Sequence, residues 1–424
     1  MGKPSGFMEY PRKTAPYRPV SKRVKDYKDV AGSLSREEIA VQAARCMDCG
    51  VPFCHGLGCP LFNLIPECND LVYKGAWKEA LMRLQITNVF PEITSRVCPA
   101  PCEAACTLAI NDSPVTVRQI ELAVVERGFE EGWVTPPVPQ KEIKRKIAVI
   151  GSGPAGLAAS WVLKKYGFSV TVFEKSAKAG GILRYGIPDF KLEKWVLERR
   201  IELMKKAGIK FETGVNVGED VKASYLRRSF DAVLLAPGAG YPRDIDIPGR
   251  GLKGIYFAMD YLTGSNRCVS GEVQGKDIIS AKNRTVLVIG GGDTGSDCIG
   301  TASRQGAKKI CQIEILPAPP PWDKDSNPSW PDWPQILRTS SSQEEGAERQ
   351  WSVMTKSFSG KDNKVTNAEC VRVEWEKTSG GVIPREIPGS GFTIKADIVF
   401  LAMGFLHAEH SRLLKDLKIE FDGK

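Results

Sequence analysis

The sequence predicts an α/β protein in which a helical, cysteine-bearing N-terminal segment precedes two parallel-sheet units, the second inserted in the first. Three observations predict it. Two buried strand patterns run straight into glycine-rich turns: Lys146 to Ile150 into Gly151 to Gly156, and Thr285 to Ile289 into Gly290 to Gly295. A second echo sets Asp231-Ala232-Val233-Leu234-Leu235-Ala236-Pro237-Gly238 beside Asp397-Ile398-Val399-Phe400-Leu401-Ala402-Met403-Gly404, each a buried strand ending at a Gly. Eight of the 12 cysteines fall between Cys46 and Cys106, ahead of both units. One fold repeated, with the second copy inside the first, accounts for both echoes.

Taken in order, residues 1–30 read as an extended, Pro-containing arm. Ser35-Arg36-Glu37-Glu38 is a capping box that opens a helix leading to Cys46. A second Cys group starts at Cys98. Ser113-Pro114 then reads as the opening of another helix, running toward Gly128. Thr135-Pro136-Pro137-Val138-Pro139 is a linker. These signals divide the chain into residues 1–140, a first α/β unit of 141–262 and 390–424, and a second of 263–389. Pro317 to Pro334, rich in Pro and Trp, is expected to form a long ordered loop on the second unit.

Composition excludes several classes. No stretch approaches the roughly 18–20 continuous apolar residues of a membrane span, and Met1 to Gly6 has no apolar signal core. A soluble cytoplasmic enzyme is the expectation. The formal net charge is +9, and the first thirty residues hold eight Lys and Arg against three acids. That arm reads either as solvated or as a docking arm for an acidic partner. Nucleic acid is not expected, because no base-reading motif accompanies the charge. Only His55, His407 and His410 occur, none in a hydrolytic triad context; His55 is expected to hydrogen-bond locally.

The glycine turns carry specific chemistry. Glycines let backbone N–H groups approach a pyrophosphate at a helix N-terminus. Glu174 lies 23 positions after Gly151, and Glu314 lies 24 after Gly290, each at the end of the next strand. There a carboxylate accepts both ribose hydroxyl hydrogens. Two such Rossmann-like modules imply two dinucleotides, and a flavin with a nicotinamide is the pair that passes hydride. Glu314 favours NADH, since a carboxylate repels the 2′-phosphate of NADPH and the next Arg is Arg338. The plainer reading of Glu314 is an exposed strand-end acid.

Cys46, Cys49, Cys54 and Cys59, then Cys98, Cys102 and Cys106, with Pro60 after Cys59 and Pro99 after Cys98, suit iron–sulfur clusters, with structural zinc as the alternative. No signal peptide argues for disulfides. Seven thiolates are one short of two four-ligand clusters; Cys68 lacks the rhythm of the others. Cys298 and Cys311 fall in predicted core elements.

Met1-Gly2-Lys3-Pro4 with Gly6-Phe7-Met8-Glu9-Tyr10, the run Cys46-Met47-Asp48-Cys49-Gly50-Val51-Pro52-Phe53-Cys54-His55, Pro99 to Cys106, Gly180-Gly181-Ile182-Leu183-Arg184-Tyr185-Gly186-Ile187-Pro188, and Leu401 to Phe405 together resemble the small (beta) subunit of glutamate synthase. The Gly180 to Pro188 stretch is shared with the N-terminal part of dihydropyrimidine dehydrogenase. The resemblance implies an iron–sulfur domain at 1–140 with two 4Fe–4S clusters, one on Cys46, Cys49, Cys54 and Cys106, the other on Cys59, Cys98, Cys102 and Glu121. It implies FAD in the first unit, at Gly151, Gly153, Pro154, Gly156, Glu174, Gly181, Arg184 and Gly238. It implies NAD(P)H in the second, at Gly290, Gly292, Asp293, Thr294 and Gly295, with Glu314 of the NADH-using type. No acid–base side chain is required for the hydride step. The implied partner is the large subunit, which makes glutamate from 2-oxoglutarate and glutamine. The alternative is the same core serving another acceptor, ferredoxin-linked or stand-alone. The family continues past Gly404 with a strand, a Gly-Asp turn and a helix that contact the flavin. With Lys424 only twenty residues on, those elements are expected to be missing, and the 424-residue chain to hold FAD poorly.

Overall fold

Ser35 accepts the Glu38 N–H while the Glu38 carboxylate accepts the Ser35 N–H, so the helix Arg36–Ala44 opens on the capping box. In the computed structural model, which describes residues 2–321, 329–378 and 381–422, this helix joins Ile65–Tyr73, Trp77–Leu84 and Val117–Glu130. They enclose one apolar core of Ile39, Val72, Leu81, Leu84, Ile120 and Val124. The last helix starts at Val117, behind Thr116, not at Ser113-Pro114. The Ser113 and Pro114 carbonyls instead accept the buried Arg45 guanidinium, at 2.8 and 2.9 Å.

The basic arm folds back on the protein. Arg23, 2% exposed, pairs with Glu344 and Glu345 far along the chain. Arg12 pairs with Glu103, Lys13 with Glu38, and the Val30 N–H donates to the Phe190 carbonyl. Lys22, Lys25 and Lys28 stay exposed.

The first sheet contains β1 (Lys146–Ile150), β2 (Ser169–Glu174), β3 (Lys210–Thr213) and β4 (Ala232–Leu235) in the order β3-β2-β1-β4, all parallel. After the short β5 (Tyr241–Pro242), the second sheet takes β6 (Ile255–Phe257), β7 (Thr285–Ile289), β8 (Lys309–Ile313) and β9 (Glu348–Gln350). Four strands follow: β10 (Val353–Lys361), β11 (Lys364–Thr378), β12 (Gly381–Glu386) and β13 (Phe392–Lys395). They form an antiparallel sheet that the sequence reading does not anticipate. β14 (Ile398–Leu401) then returns between β6 and β7, so the second sheet runs β6-β14-β7-β8-β9.

The echoed segments behave alike. β4 lies beside β1 and β14 beside β7. Asp231 accepts the Lys146 N–H at 2.8 Å, and Asp397 accepts the Thr285 N–H at 2.7 Å. Each echo strand therefore completes its own sheet. This corrects the boundaries: β14 lies in 390–424, and β6 with the helix Ala258–Val269 starts within 141–262, yet both belong with the second sheet. A buried apolar strand suits either sheet, and only hydrogen-bond register decides. The chain does return to the first unit. β15 (Phe405–His407) pairs with β5, and Leu413 packs with Ala148, Ile150 and Val217.

One fully buried ion pair joins the helical domain to the first unit. Arg200 Nε and Nη2 lie 2.6 and 2.9 Å from the two carboxylate oxygens of Glu92, both side chains 0% exposed. The Phe90 and Trp161 rings flank that guanidinium. In the Pro/Trp-rich stretch, 317–321 and 329–334 form no helix or strand, and 322–328 lie outside the described residues. Trp330 nonetheless reaches the helical domain, donating Nε1–H to the Cys106 carbonyl at 3.3 Å and packing on Phe53. Among the described residues, no helix is long and apolar enough to cross a membrane.

Candidate functional site

Both glycine turns are built the same way. Gly151 has φ +102° and Gly290 φ +120°. A Cβ there would stand 2.2 Å from the Ala236 carbonyl oxygen and 2.3 Å from that of Ala402. Backbone on both sides leaves no room to give, so only glycine fits. The helices Pro154–Lys165 and Asp293–Gln305 start just beyond, with open space above Gly153 and Gly292. Gly156 and Gly295 abut the carbonyls of Gly151 and Gly290, which seats each helix on its strand. Asp293 is exposed and Thr294 half-buried at the second turn.

The two strand-end acids match as well. Glu174 accepts the Ser152 N–H at 3.0 Å and the Ser176 N–H at 2.8 Å. Glu314 accepts the Gly291 N–H at 2.6 Å and the Leu316 N–H at 3.1 Å. Each carboxylate is thereby aimed at its own turn. Gly181, φ +52°, lies against Gly153, and the Ser152 hydroxyl accepts the Gly180 N–H. Arg184 is 2% exposed; it donates to the Ala179 carbonyl and pairs with Glu198 at 2.8 Å. It braces the Gly180-Gly181 bend from within the protein. Gly238 has φ +76° with open space at its Cα.

A bridge between the units escaped the sequence reading. Lys191, just after the Gly180 to Pro188 stretch, meets Asp297 of the second-unit helix at 2.6 Å. Nearby Lys194 donates to the Ile187 and Leu192 carbonyls, and burial pulls its pKa down to about 8. Nothing in the sequence separates Asp297 from an ordinary helix-surface acid.

The cysteines fall into two groups. Cys46, Cys49, Cys54 and Cys106 line one hollow, together with Phe53 and Asn69. Cys59, Cys98 and Cys102 form the other, where the Glu121 carboxylate and the Cys59 thiol both bear on Cys98 and Cys102. The Cys68 thiol turns to the Ala80 carbonyl at 3.9 Å, with both Cys46 and Glu121 near enough to bear on it. Cys298, Cys311 and Cys370 are buried elsewhere. Among the described residues, no three His, Cys, Asp or Glu side chains converge as ligands of a single metal ion.

The donor chemistry fits iron–sulfur clusters. Burial pushes the thiols of Cys46, Cys98, Cys102 and Cys106 up and that of Cys54 to about 12. Metal binding offsets such a cost by taking the place of the proton. The side-chain Nδ2 of Asn69 is buried in the first group without a hydrogen-bond partner. In the second group, burial raises the Glu121 carboxyl to about 7, against the pull of an Asn63 hydrogen bond. The Glu103 carboxylate adds to that rise.

Asn63, also missed in the sequence, is the hub of the second group. It donates Nδ2–H to Glu121 at 2.8 Å and its backbone N–H to Cys59 Sγ at 3.5 Å. Its carbonyl oxygen lies 3.0 Å from Nδ1 of His55, while its side-chain oxygen accepts from Thr87.

Residues 23–133 match the family described as dihydropyrimidine dehydrogenase domain II, 4Fe-4S cluster, and residues 145–423 match pyridine nucleotide-disulphide oxidoreductase. The chain is 48% identical over 426 residues to the glutamate synthase [NADPH] small chain of Mycobacterium tuberculosis H37Rv, covering 99% of this chain and 86% of that one. It is 47% identical over 416 residues to glutamate synthase [NADH] of Schizosaccharomyces pombe, covering 95% of this chain and 20% of the relative. Among solved structures, a mutant of FprA from Mycobacterium tuberculosis shares the fold, with TM-score 0.50 and 20% identity over 62% of this chain and 71% of that one. Paired glycine turns behind a cysteine-bearing domain, matched at this identity along nearly the full length, make the chain an oxidoreductase that belongs to the glutamate synthase small-chain family.

Proposed function

We propose that the chain oxidises NAD(P)H, NADH in preference, at an FAD held by the first turn, and relays the electrons through two 4Fe–4S clusters to a glutamate synthase large subunit that makes L-glutamate from 2-oxoglutarate and glutamine. The observation that carries this reading is the coexistence of two identically built turn-and-acid sites with two separate cysteine groups. FAD bound there would take up hydride and give single electrons to the clusters.

The chain's own part is positioning. Gly151, Gly153, Pro154 and Gly156 seat the FAD pyrophosphate at a helix N-terminus, and Glu174 takes the ribose. Gly181 and Gly238 keep the backbone low beside it, with Arg184 bracing the bend. Gly290, Gly292, Asp293, Thr294 and Gly295 do the same for the nicotinamide dinucleotide. Cys46, Cys49, Cys54 and Cys106 hold one cluster; Cys59, Cys98, Cys102 and Glu121 hold the other. Two observations support these assignments: the hollow shared by the first four cysteines, and the Glu121 carboxylate bearing on Cys98 and Cys102.

The test is anaerobic purification with FAD supplied. Flavin and cluster absorbance bleached by NADH, with iron and sulfide sufficient for two four-iron clusters, is the expected result. Zinc in place of iron, or no bleaching, overturns the reading. Relatives carry both coenzyme names, and the preference for NADH rests on Glu314 alone. Hydrogen bonds to a charged group are each worth about 1.5–3 kcal/mol, so Glu314→Ala should lower kcat/KM for NADH about tenfold or more and narrow the preference. A native enzyme that prefers NADPH by kcat/KM would refute the role of Glu314. Glu121→Ala is expected to lose the cluster of its own group and spare the other. Unchanged iron content and EPR spectra in that variant would return Glu121 to a structural role.

A further inference from the structure

The helix Ile65–Tyr73 buries Ile65, Pro66, Cys68, Asn69 and Val72 along one face. In that face Asn69 carries the amide, and it is 2% exposed. A side chain chosen for packing alone would be apolar, because burying an amide without a partner is unfavourable. Asn63 shows how this domain treats a buried amide that serves structure. Its Nδ2 is taken by Glu121 and its Oδ1 by Thr87. The Nδ2 of Asn69 has no such partner. The residue lines the hollow of Cys46, Cys49, Cys54 and Cys106. It stands beside the Cys46 thiol, and no acceptor completes a hydrogen bond to its Nδ2.

We propose that Asn69 donates its side-chain N–H to a sulfur of the cluster held by Cys46, Cys49, Cys54 and Cys106, and so raises the reduction potential of that cluster. The inference rests on the cluster assignment above. Its physical basis is the charge difference between the two redox states. The reduced cluster carries one more negative charge than the oxidised one. A fixed N–H dipole pointed at its sulfur therefore stabilises the reduced form more. The buried surroundings strengthen the effect, since little solvent screens it. Asn69 is thus a positioning and tuning residue, distinct from the ligands. It acts on one cluster, because Glu121 and Asn63 occupy the other group.

The test is an EPR-monitored redox titration of the full 424-residue protein, native and Asn69→Leu, a change that keeps the shape and removes the donor. The signal belonging to this cluster is identified by its loss in Cys54→Ser. In Asn69→Leu its midpoint should fall by about 59 mV, a tenfold change in a one-electron equilibrium. The second cluster and the iron content should not change. An unmoved midpoint with both clusters present overturns the proposal. Should Asn69→Leu fail to hold the cluster, pulsed EPR of native protein labelled with nitrogen-15 at asparagine side-chain amides decides. A nitrogen-15 coupling to this reduced cluster upholds the proposal, and its absence refutes it. Native protein without any cluster signal overturns the cluster assignment itself, and the role of Asn69 with it.

Discussion

Gly290→Ala is expected to abolish NADH oxidation while iron and FAD contents stay at native levels. The added Cβ would stand 2.3 Å from the Ala402 carbonyl oxygen, at φ +120°. The obstructing atom is backbone just past β14, where the Ala402 N–H donates to the Ile289 carbonyl at 2.8 Å, so it cannot swing away as a side chain would. The turn itself must shift. That lifts the Gly291 N–H from Glu314 and turns the helix N-terminus away from the pyrophosphate. Disturbing the pyrophosphate and ribose contacts together costs upward of about 2.8 kcal/mol, or at least about a hundredfold in kcat/KM. Stopped-flow oxidation of NADH measures it, with flavin content from the denatured protein as the control. Gly151→Ala, facing Ala236 at 2.2 Å, should instead empty the protein of FAD. Near-native NADH oxidation by Gly290→Ala would mean the second turn is not the coenzyme site.

Glu92→Gln is expected to destabilise the junction of the helical domain with the first unit by about 3–5 kcal/mol. Both members of the Glu92–Arg200 pair are fully buried, and Arg200 Nη1 already lacks a partner. Removing the carboxylate charge leaves a guanidinium in an apolar seam between Phe90 and Trp161, far from water. Replacing both partners with apolar groups, Glu92→Leu with Arg200→Met, should recover most of the loss, because the penalty comes from the unpaired charge. Denaturant unfolding, followed by cluster absorbance and by tryptophan fluorescence, compares the variants. A single variant as stable as the native protein would show that the seam admits water or a counter-charge.

Local chemistry was legible in the residues alone. Strand, glycine turn and helix N-terminus lie within a few positions of each other, so their hydrogen bonds are decided by neighbours in the chain. The capping box at Ser35 needs only Glu38. The spacing from Gly151 to Glu174, and from Gly290 to Glu314, spans one strand–helix–strand unit, and both acids return to their turns. The α/β class, the repeated fold and the helical cysteine domain follow from such signals. Contacts across the fold were beyond the sequence. A buried apolar strand carries no label for its sheet, so β14 was assigned by register. Arg45, distant in the chain, holds the Ser113 and Pro114 carbonyls ahead of the helix Val117–Glu130. Glu344 and Glu345 draw the basic arm inward. Asn63, Asn69, Lys191 and Asp297 read as ordinary polar residues until packing sets them beside a carboxylate, a thiol or each other. A side chain's type and spacing determine what it is able to bind, but burial and the choice of partner are properties of the assembled core, and only the tertiary structure decides them.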